Sequence, residues 1–303
     1  MRTPKQLKNS KSLYLMALPG LIWYILFCYL PMFGIMIAFQ DFDYNAGFFG
    51  SKWIGFENFK YLFNTSDAFV ITRNTLLYNG FFIAFDIVSA TAIAIIYNLL
   101  GTTRLNRFNQ TVVLLPHFMS WVVASYFVFA ILSVDKGIAN KIITFFGGER
   151  VNWYSEPKYW PFILFICNEW KKVGYSSIIY YSTIRGFDTS YYEAAQIDGA
   201  SWLQCIRHVT LPLLKPIITI MFILNVGSIM FSDFGLFYII PKNSGLLYSV
   251  TSTIDTYIYN GMTGMGDLGA TAAAGFYQSL VGFALVMLSN AIVRKLSPDD
   301  ALF

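Results

Sequence analysis

Charge is what this chain has least of. Asp, Glu, Lys and Arg make up 13% of its 303 residues, about half the share of a soluble domain. That leaves too little polar surface to face water on all sides. Histidine is nearly missing: His117 and His208 are too few and too distant for a zinc site. Cys28, Cys167 and Cys205 give neither a disulfide framework nor metal-ligand spacing. No G-x-x-x-x-G-K-[ST] run occurs, so the chain has no P-loop to cradle ATP phosphates. H-E-x-x-H and G-x-S-x-G are missing too, and no catalytic set emerges. The net charge of +4 does not point to nucleic acid, because the positive charges sit in short segments between apolar runs. No internal repeat or low-complexity tract is present.

What remains is oily: 56% hydrophobic and 18% aromatic, with mean hydropathy +0.52. Arg2, Lys5, Lys8 and Lys11 precede an uncharged run over residues 12–39, longer than the ~20 residues a bilayer span needs. A cleavable signal has an apolar region of about 7–15 residues, so this reads as an uncleaved first span, kinked at Pro19-Gly20 and Pro31. A loop over 40–67 follows. The second span covers 69–100, interrupted by Asp86, and the third is the run 108–134. Residues 135–158 hold a short amphipathic helix at 141–146. The fourth span, 160–184, contains Glu169, Lys171 and Lys172. The fifth covers 213–240, interrupted by Asp233, and the sixth 268–293. The pattern predicts an all-α polytopic membrane protein with about six spans. Arg2, Lys5, Lys8, Lys11, Arg104, Arg107, Arg185, Arg207, Lys215, Arg294 and Lys295 then fall on one side, and the longer opposite segments hold fewer cations. The positive-inside rule places both termini in the cytoplasm.

Between the fourth and fifth spans lies SYYEAAQIDGASWLQCIRHVTLPLLKP, residues 190–216. Ser190 and Glu193 have capping-box spacing, which predicts a helix from Tyr191. Gly199 suits the left-handed position that stops it. Ser201 and Gln204 repeat the box, so a second helix starts at Trp202. Pro212 is tolerated only in a first turn or at a break.

This stretch resembles the EAA loop of the membrane-spanning permeases of bacterial binding-protein-dependent ABC importers. The matching residues are Glu193, Ala194, Ala195, Gly199, Val209, Thr210, Leu211 and Pro212, with Val209 where the family usually has Ile. The wording YYEAAQIDGAS, with IDTYIY at 254–259 and the KLSPDDALF tail, is similar to the carbohydrate branch, nearest to oligosaccharide permeases. The resemblance covers most of the chain, from about residue 74. It implies a type I ABC importer permease fold in the bacterial cytoplasmic membrane. Residues 1–68 would be a cytoplasmic tail, first span and external loop, and 69–303 the permease core with its coupling loop at 185–216. It implies four kinds of protein partner or surface: a second permease chain in a heterodimer, two cytoplasmic ATPase subunits, an external substrate-binding protein and the lipid bilayer. No cofactor sits on this chain; ATP and Mg belong to the ATPase subunits. The coupling residues carried over are Tyr191, Tyr192, Glu193, Ala194, Ala195, Asp198, Gly199, Ala200, Val209, Leu211 and Pro212.

Charges inside spans are rare and face a bundle interior or a wet cavity. Asp86, Glu169, Trp170, Lys172, Tyr175 and Asp233 therefore form a candidate substrate path. Carboxylates and an ammonium group can bond sugar hydroxyls while aromatic faces pack on the ring. The competing reading is mutual pairing of Asp86 or Glu169 with Lys171 or Lys172. Glu169 and Lys172, three apart, share a helix face, and Lys171 points elsewhere. A lone His117 at a span end reads as a hydrogen-bonded residue, and Arg73 as a snorkelling one. Other readings stay open: a permease for a peptide or polyamine, or an ion-coupled secondary transporter.

Overall fold

The computed structural model describes residues 11–265 and 267–296. Arg2, Lys5, Lys8 and the end of the KLSPDDALF tail lie outside the described residues. Helix α1 (Lys11–Tyr24) carries Pro19 inside it and passes without a break into a π turn (Ile25–Tyr29). A 3-10 stretch (Leu30–Phe39) follows, with Pro31 at its start. Proline supplies no N–H and crowds the turn before it, so the helix changes pitch instead of ending. A minimal antiparallel pair follows, β1 (Gln40–Asp41) with β2 (Lys52–Trp53), in the register Gln40 to Trp53. Helix α2 (Glu57–Asn64) leads into α3 (Ser66–Leu99), 34 residues long.

The third apolar run is not a straight span. Helix α4 (Arg104–Leu114) ends in a 3-10 turn (Leu115–Phe118), and α5 (Trp121–Leu132) leaves it at 102°. Pro116 stops the first helix, and the Ser120 side chain caps the second by accepting from the Val123 N–H. The amphipathic helix, α6, covers Ile138–Phe145, starting earlier than the charge at Lys141 suggested. Helix α7 (Trp160–Arg185) is the fourth predicted span. Helix α8 (Ser190–Ile197) and α9 (Trp202–Cys205) form the elbow. From α9 a π turn (Ile206–Thr210) runs directly into α10 (Leu211–Gly227). The fifth span thus starts at Trp202 and ends at Gly227, and the predicted continuation to residue 240 is broken. Helices α11 (Ile254–Asn260) and α12 (Leu268–Leu296) complete the chain.

Among the described residues, four helices are long and apolar enough to cross a membrane, and the bent α4–α5 pair is a fifth candidate. Helix α7 has 26 residues, enough length for a sixth, but its four charged residues lower its hydropathy. The bundle centres on α3 against α7. Ala90 and Ala94 let Tyr180, Ile184 and Leu214 pack close, while Phe82, Trp160, Leu164 and Phe237 fill a second core. Gly174 is needed where α7 crosses α4: a Cβ there would overlap the Val113 carbonyl. Large apolar side chains cover the outside, as a lipid-facing surface requires.

Candidate functional site

The elbow is built by local rules, with one correction. Helix α8 begins at Ser190, and Ser190 and Glu193 do not form a capping box. Asp188 does the capping instead, accepting from the Ser190 N–H at 2.9 Å. The Ser190 N–H and hydroxyl hold the Asp188 carboxyl below its usual range. Gly199 has φ +78°. The Ala200 N–H bonds the Ala195 carbonyl at 2.9 Å and the Gly199 N–H bonds Gln196 at 3.0 Å, a Schellman stop. The second capping box, Ser201 with Gln204, is present. Tyr192 reaches across the elbow, its hydroxyl 3.1 Å from that of Thr210. Pro212 sits at the start of α10, just after the π turn that absorbs its missing N–H.

The elbow presents an apolar face to solvent. Ile197 is 87% exposed and Trp202 63%, with Tyr191 and Leu203 beside them. Glu193 and Ala194 are also exposed. Ala195, Asp198, Gly199, Ala200 and Val209 line a hollow of about 280 Å³ together with Gln204 and His208. Leu211 lies behind it, at the head of α10.

The second site lies inside the bundle. A cavity of about 80 Å³ is lined by Asp86 and Asn79 of α3, Asn168 and Lys172 of α7, and Asn225 with the segment after α10. That segment is backbone without regular helix over residues 228–233. Its polar groups are satisfied from other elements. Asn79 Nδ2 donates to the Ile229 carbonyl at 2.8 Å, and Gln278 Nε2 to Met230 at 2.7 Å. The Ser232 N–H donates to Asp255 at 2.6 Å. Irregular backbone inside a membrane bundle persists only where protein or a wet cavity satisfies it.

Among the described residues the intramembrane charges are not ion-paired with one another, which corrects the mutual-pairing reading. Ser176 donates to Asp86 Oδ2 at 2.8 Å. Ser89 and Asn168 donate to the two oxygens of Glu169, each at 3.2 Å. Asp86 Oδ1 and Asn168 Oδ1 are buried without a hydrogen-bond partner. Lys171 points away, as its spacing predicts, and donates to the carbonyls of Pro116, His117 and Met119 at the α4–α5 bend. Glu169 is 9% exposed and stands behind the cavity wall. Trp170 and Tyr175 face outward, Tyr175 stacked on His117 at 4.5 Å. Asp233 is not brought into the cavity; it accepts from the Gly235 N–H at 3.1 Å and caps the turn that follows. Arg73 is anchored on the Ser249 carbonyl at 3.0 Å. Sequence reasoning missed Asn79, Asn168, Asn225 and Ser176. Amides within apolar runs were the available signal.

An exposed elbow feeding a membrane helix, and a polar cavity beside broken backbone, define a transport component. Residues 86–298 match the family described as binding-protein-dependent transport system inner membrane component, and the chain belongs to that family. It is thus a multi-pass inner-membrane component and not itself an enzyme, as the EAA resemblance implied. Over 294 residues it is 35% identical to the polygalacturonan/rhamnogalacturonan transport system permease protein YteP of Bacillus subtilis, covering 97% of this chain and 91% of that one. Protein LplB of the same organism is 32% identical over 293 residues, covering 97% and 92%. A crystal structure of a bacterial ABC transporter involved in the import of the acidic polysaccharide alginate matches with TM-score 0.88 at 31% identity, covering 97% of this chain and 98% of that chain.

Proposed function

We propose that this chain is one permease subunit of an ATP-driven importer for an oligosaccharide or polysaccharide fragment. A second permease chain completes the pathway as a heterodimer, and two cytoplasmic ATPase subunits bind ATP and Mg. An external binding protein delivers the sugar. Both termini and the 185–216 loop face the cytoplasm. Residues 1–68 carry the tail, first span and external loop, and 69–303 form the core.

One observation carries the mechanism. Residues Trp202–Gly227 form a continuous helical stretch of 26 residues, about 39 Å at 1.5 Å per residue. Its first turn belongs to the exposed elbow, and Asn225 near its far end lines the bundle cavity. Movement imposed on the elbow by a closing ATPase is therefore delivered to the cavity wall by one rod. In this reading Tyr191, Ala194 and Ile197 seat α8 in a groove on the ATPase, Glu193 pairs with a basic group there, and the Tyr192–Thr210 contact stiffens the joint. The side chains of Asp86, Asn168 and Lys172 line the cavity and offer acceptors and a donor to sugar hydroxyls. Glu169 steadies Asn168 from behind.

The test uses vesicles holding the chain with its permease partner and ATPase. Gly199→Pro forbids φ +78° and should abolish ATP-driven uptake while the chain still inserts. Since Glu193 caps nothing, Glu193→Gln should lower ATPase recruitment without unfolding α8. Full uptake in both variants would refute the coupling role.

A further inference from the structure

Past Gly227 the rod gives way to residues 228–232, and the bundle cavity takes lining from each side of that break. Asn225 comes from the rod, and Ser228, Ile229 and Phe231 from the segment beyond it. The helical ladder tightens as it ends. The Ser228 and Ile229 N–H groups bond the carbonyls of Asn225 and Val226, each at 3.1 Å. Further on, the segment is held by other elements.

Its polar groups meet partners sorted by polarity. Gln278 of α12 is buried. Its Nε2 makes two donations, to the Met230 carbonyl at 2.7 Å and to Asp255 Oδ1 at 3.0 Å. A side-chain amide nitrogen has two N–H groups, so both are committed. Asp255 Oδ2 accepts from the Ser232 N–H at 2.6 Å. Each Asp255 oxygen therefore faces a donor, an arrangement that suits a carboxylate and not an amide. Among the described residues Asp255 has no ion-pair partner, so its charge serves these two neutral donors. Asn79 adds a third arm from α3 through the Ile229 carbonyl at 2.8 Å. The Met230 side chain completes the hold on the apolar side, fully buried with Ile71 and Ile254.

None of these anchors belongs to the rod. Asp255 sits on α11, which is itself tied to α3: the Ile254 N–H donates to Thr75 Oγ1 at 3.1 Å, and Asn74 Nδ2 to the Ser252 carbonyl at 2.9 Å. Neither Asp255 nor Gln278 lines the cavity. Residues 229–232 are thus fixed to α3, α11 and α12, while the rod ends just before them at Gly227.

We propose that Asp255 and Gln278 are positioning residues for transport, holding residues 229–232 as a fixed fulcrum against which the end of the rod turns. Movement of the elbow then displaces Asn225 relative to Ile229 and Phe231. The change in backbone angle is taken up at Gly227–Ser228, as hinges at element ends do, and the cavity changes shape. A segment freed from its anchors travels with the rod, and the cavity shifts without opening. This role rests on the importer reading above and adds the part that turns rod movement into a change of the cavity.

The experiment measures ATP hydrolysed and sugar carried by the complete transporter in vesicles. It is supplied with its binding protein and either a galacturonate or a neutral arabinan pentasaccharide. Asp255→Asn keeps the size of the side chain but sets an amide N–H against Gln278 or Ser232. Gln278→Asn keeps both donors and withdraws them by one methylene. Each variant should insert and hydrolyse ATP near the wild-type rate. The ATP consumed per sugar carried should rise about tenfold, the change that one charge-assisted hydrogen bond supports. Amide exchange across residues 229–232 should quicken in both variants. A purely structural role would lower the amount of assembled transporter and both activities together, leaving the ratio where it was. That outcome would overturn the fulcrum and leave the importer reading standing, as would failure of both variants to insert beside a coupled wild type. A wild-type complex that carries neither sugar on ATP would overturn the importer reading and the fulcrum with it.

Discussion

At the scale of single residues, the carboxylates of the bundle are held by neutral groups. Glu169 takes one bond from Ser89 and one from Asn168, and Asp86 takes one from Ser176. Removing a lysine therefore leaves these hydrogen bonds in place. Glu169 and Lys172 share a helix face without a close ion pair, so Glu169→Gln and Lys172→Met should couple in thermal stability by no more than about 0.5 kcal/mol, the size of an i,i+3 charge interaction on a helix. A double variant that recovers stability lost in the singles would restore the ion-pair account. Asp86→Asn should insert normally and lose uptake, because Asp86 and Lys172 line the same cavity. The charges themselves were legible, since a charge in an oily run stands out. Their partners were not: Ser89 and Ser176 look like the small residues that any close-packed helix pair uses. At the elbow, Asp188 supplies a pH test. Its folded pKa is depressed by the Ser190 N–H and then the Ser190 hydroxyl. The stabilisation it gives is present above the unfolded value of about 3.9 and lost as pH falls through the folded one. The Ser190 amide resonance of α8 should begin to shift below about pH 4 and stay unmoved at neutral pH.

At the scale of elements, helix identity was easier to read than helix ends. The Gly199 stop and the Ser201–Gln204 box are local chemistry and appear where the sequence puts them. The end of the fifth span is different. Residues 213–240 carry two charges, Lys215 at the start and Asp233 well past Gly227, so hydropathy sees no reason to stop at Gly227. The reason comes from elsewhere in the chain, where Asn79, Asp255 and Gln278 bond the backbone of 228–232. Asn79→Leu should strand the Ile229 carbonyl and cost about 1–3 kcal/mol, measured by thermal unfolding in detergent. A neutral result would mean that the broken segment is held without α3. The α4–α7 crossing gives a second test. Gly174→Ala forces a methyl group into the Val113 carbonyl and should cost about 1–3 kcal/mol by overpacking. The same change at Gly20, where nothing lies within 4 Å, should cost much less.

At the scale of the whole molecule, the chain lacks a P-loop and presents an apolar elbow at one end of a rod that reaches its cavity. Vesicles holding this chain alone should transport nothing. With its partners, uptake should need ATP and survive an uncoupler; uptake driven by a proton gradient without an ATPase would turn the reading to a secondary transporter. The class was legible because the composition and the EAA loop are properties of the sequence alone. The true course of the third apolar run was not, because hydropathy does not register the Pro116 stop and the Ser120 cap, and the resulting 102° bend is clasped by a distant residue. The carbonyls of Pro116, His117 and Met119 at the bend are gathered by Lys171, 52 positions after Met119. During synthesis those carbonyls emerge first. At about 5–20 residues per second, Lys171 follows Met119 by roughly 3–10 s. Until then the corner, already broken locally by Pro116 and the Ser120 cap, has no clasp to hold its angle. The bent geometry is fixed only after α7 arrives, which makes the order of manufacture part of how this bundle reaches its shape.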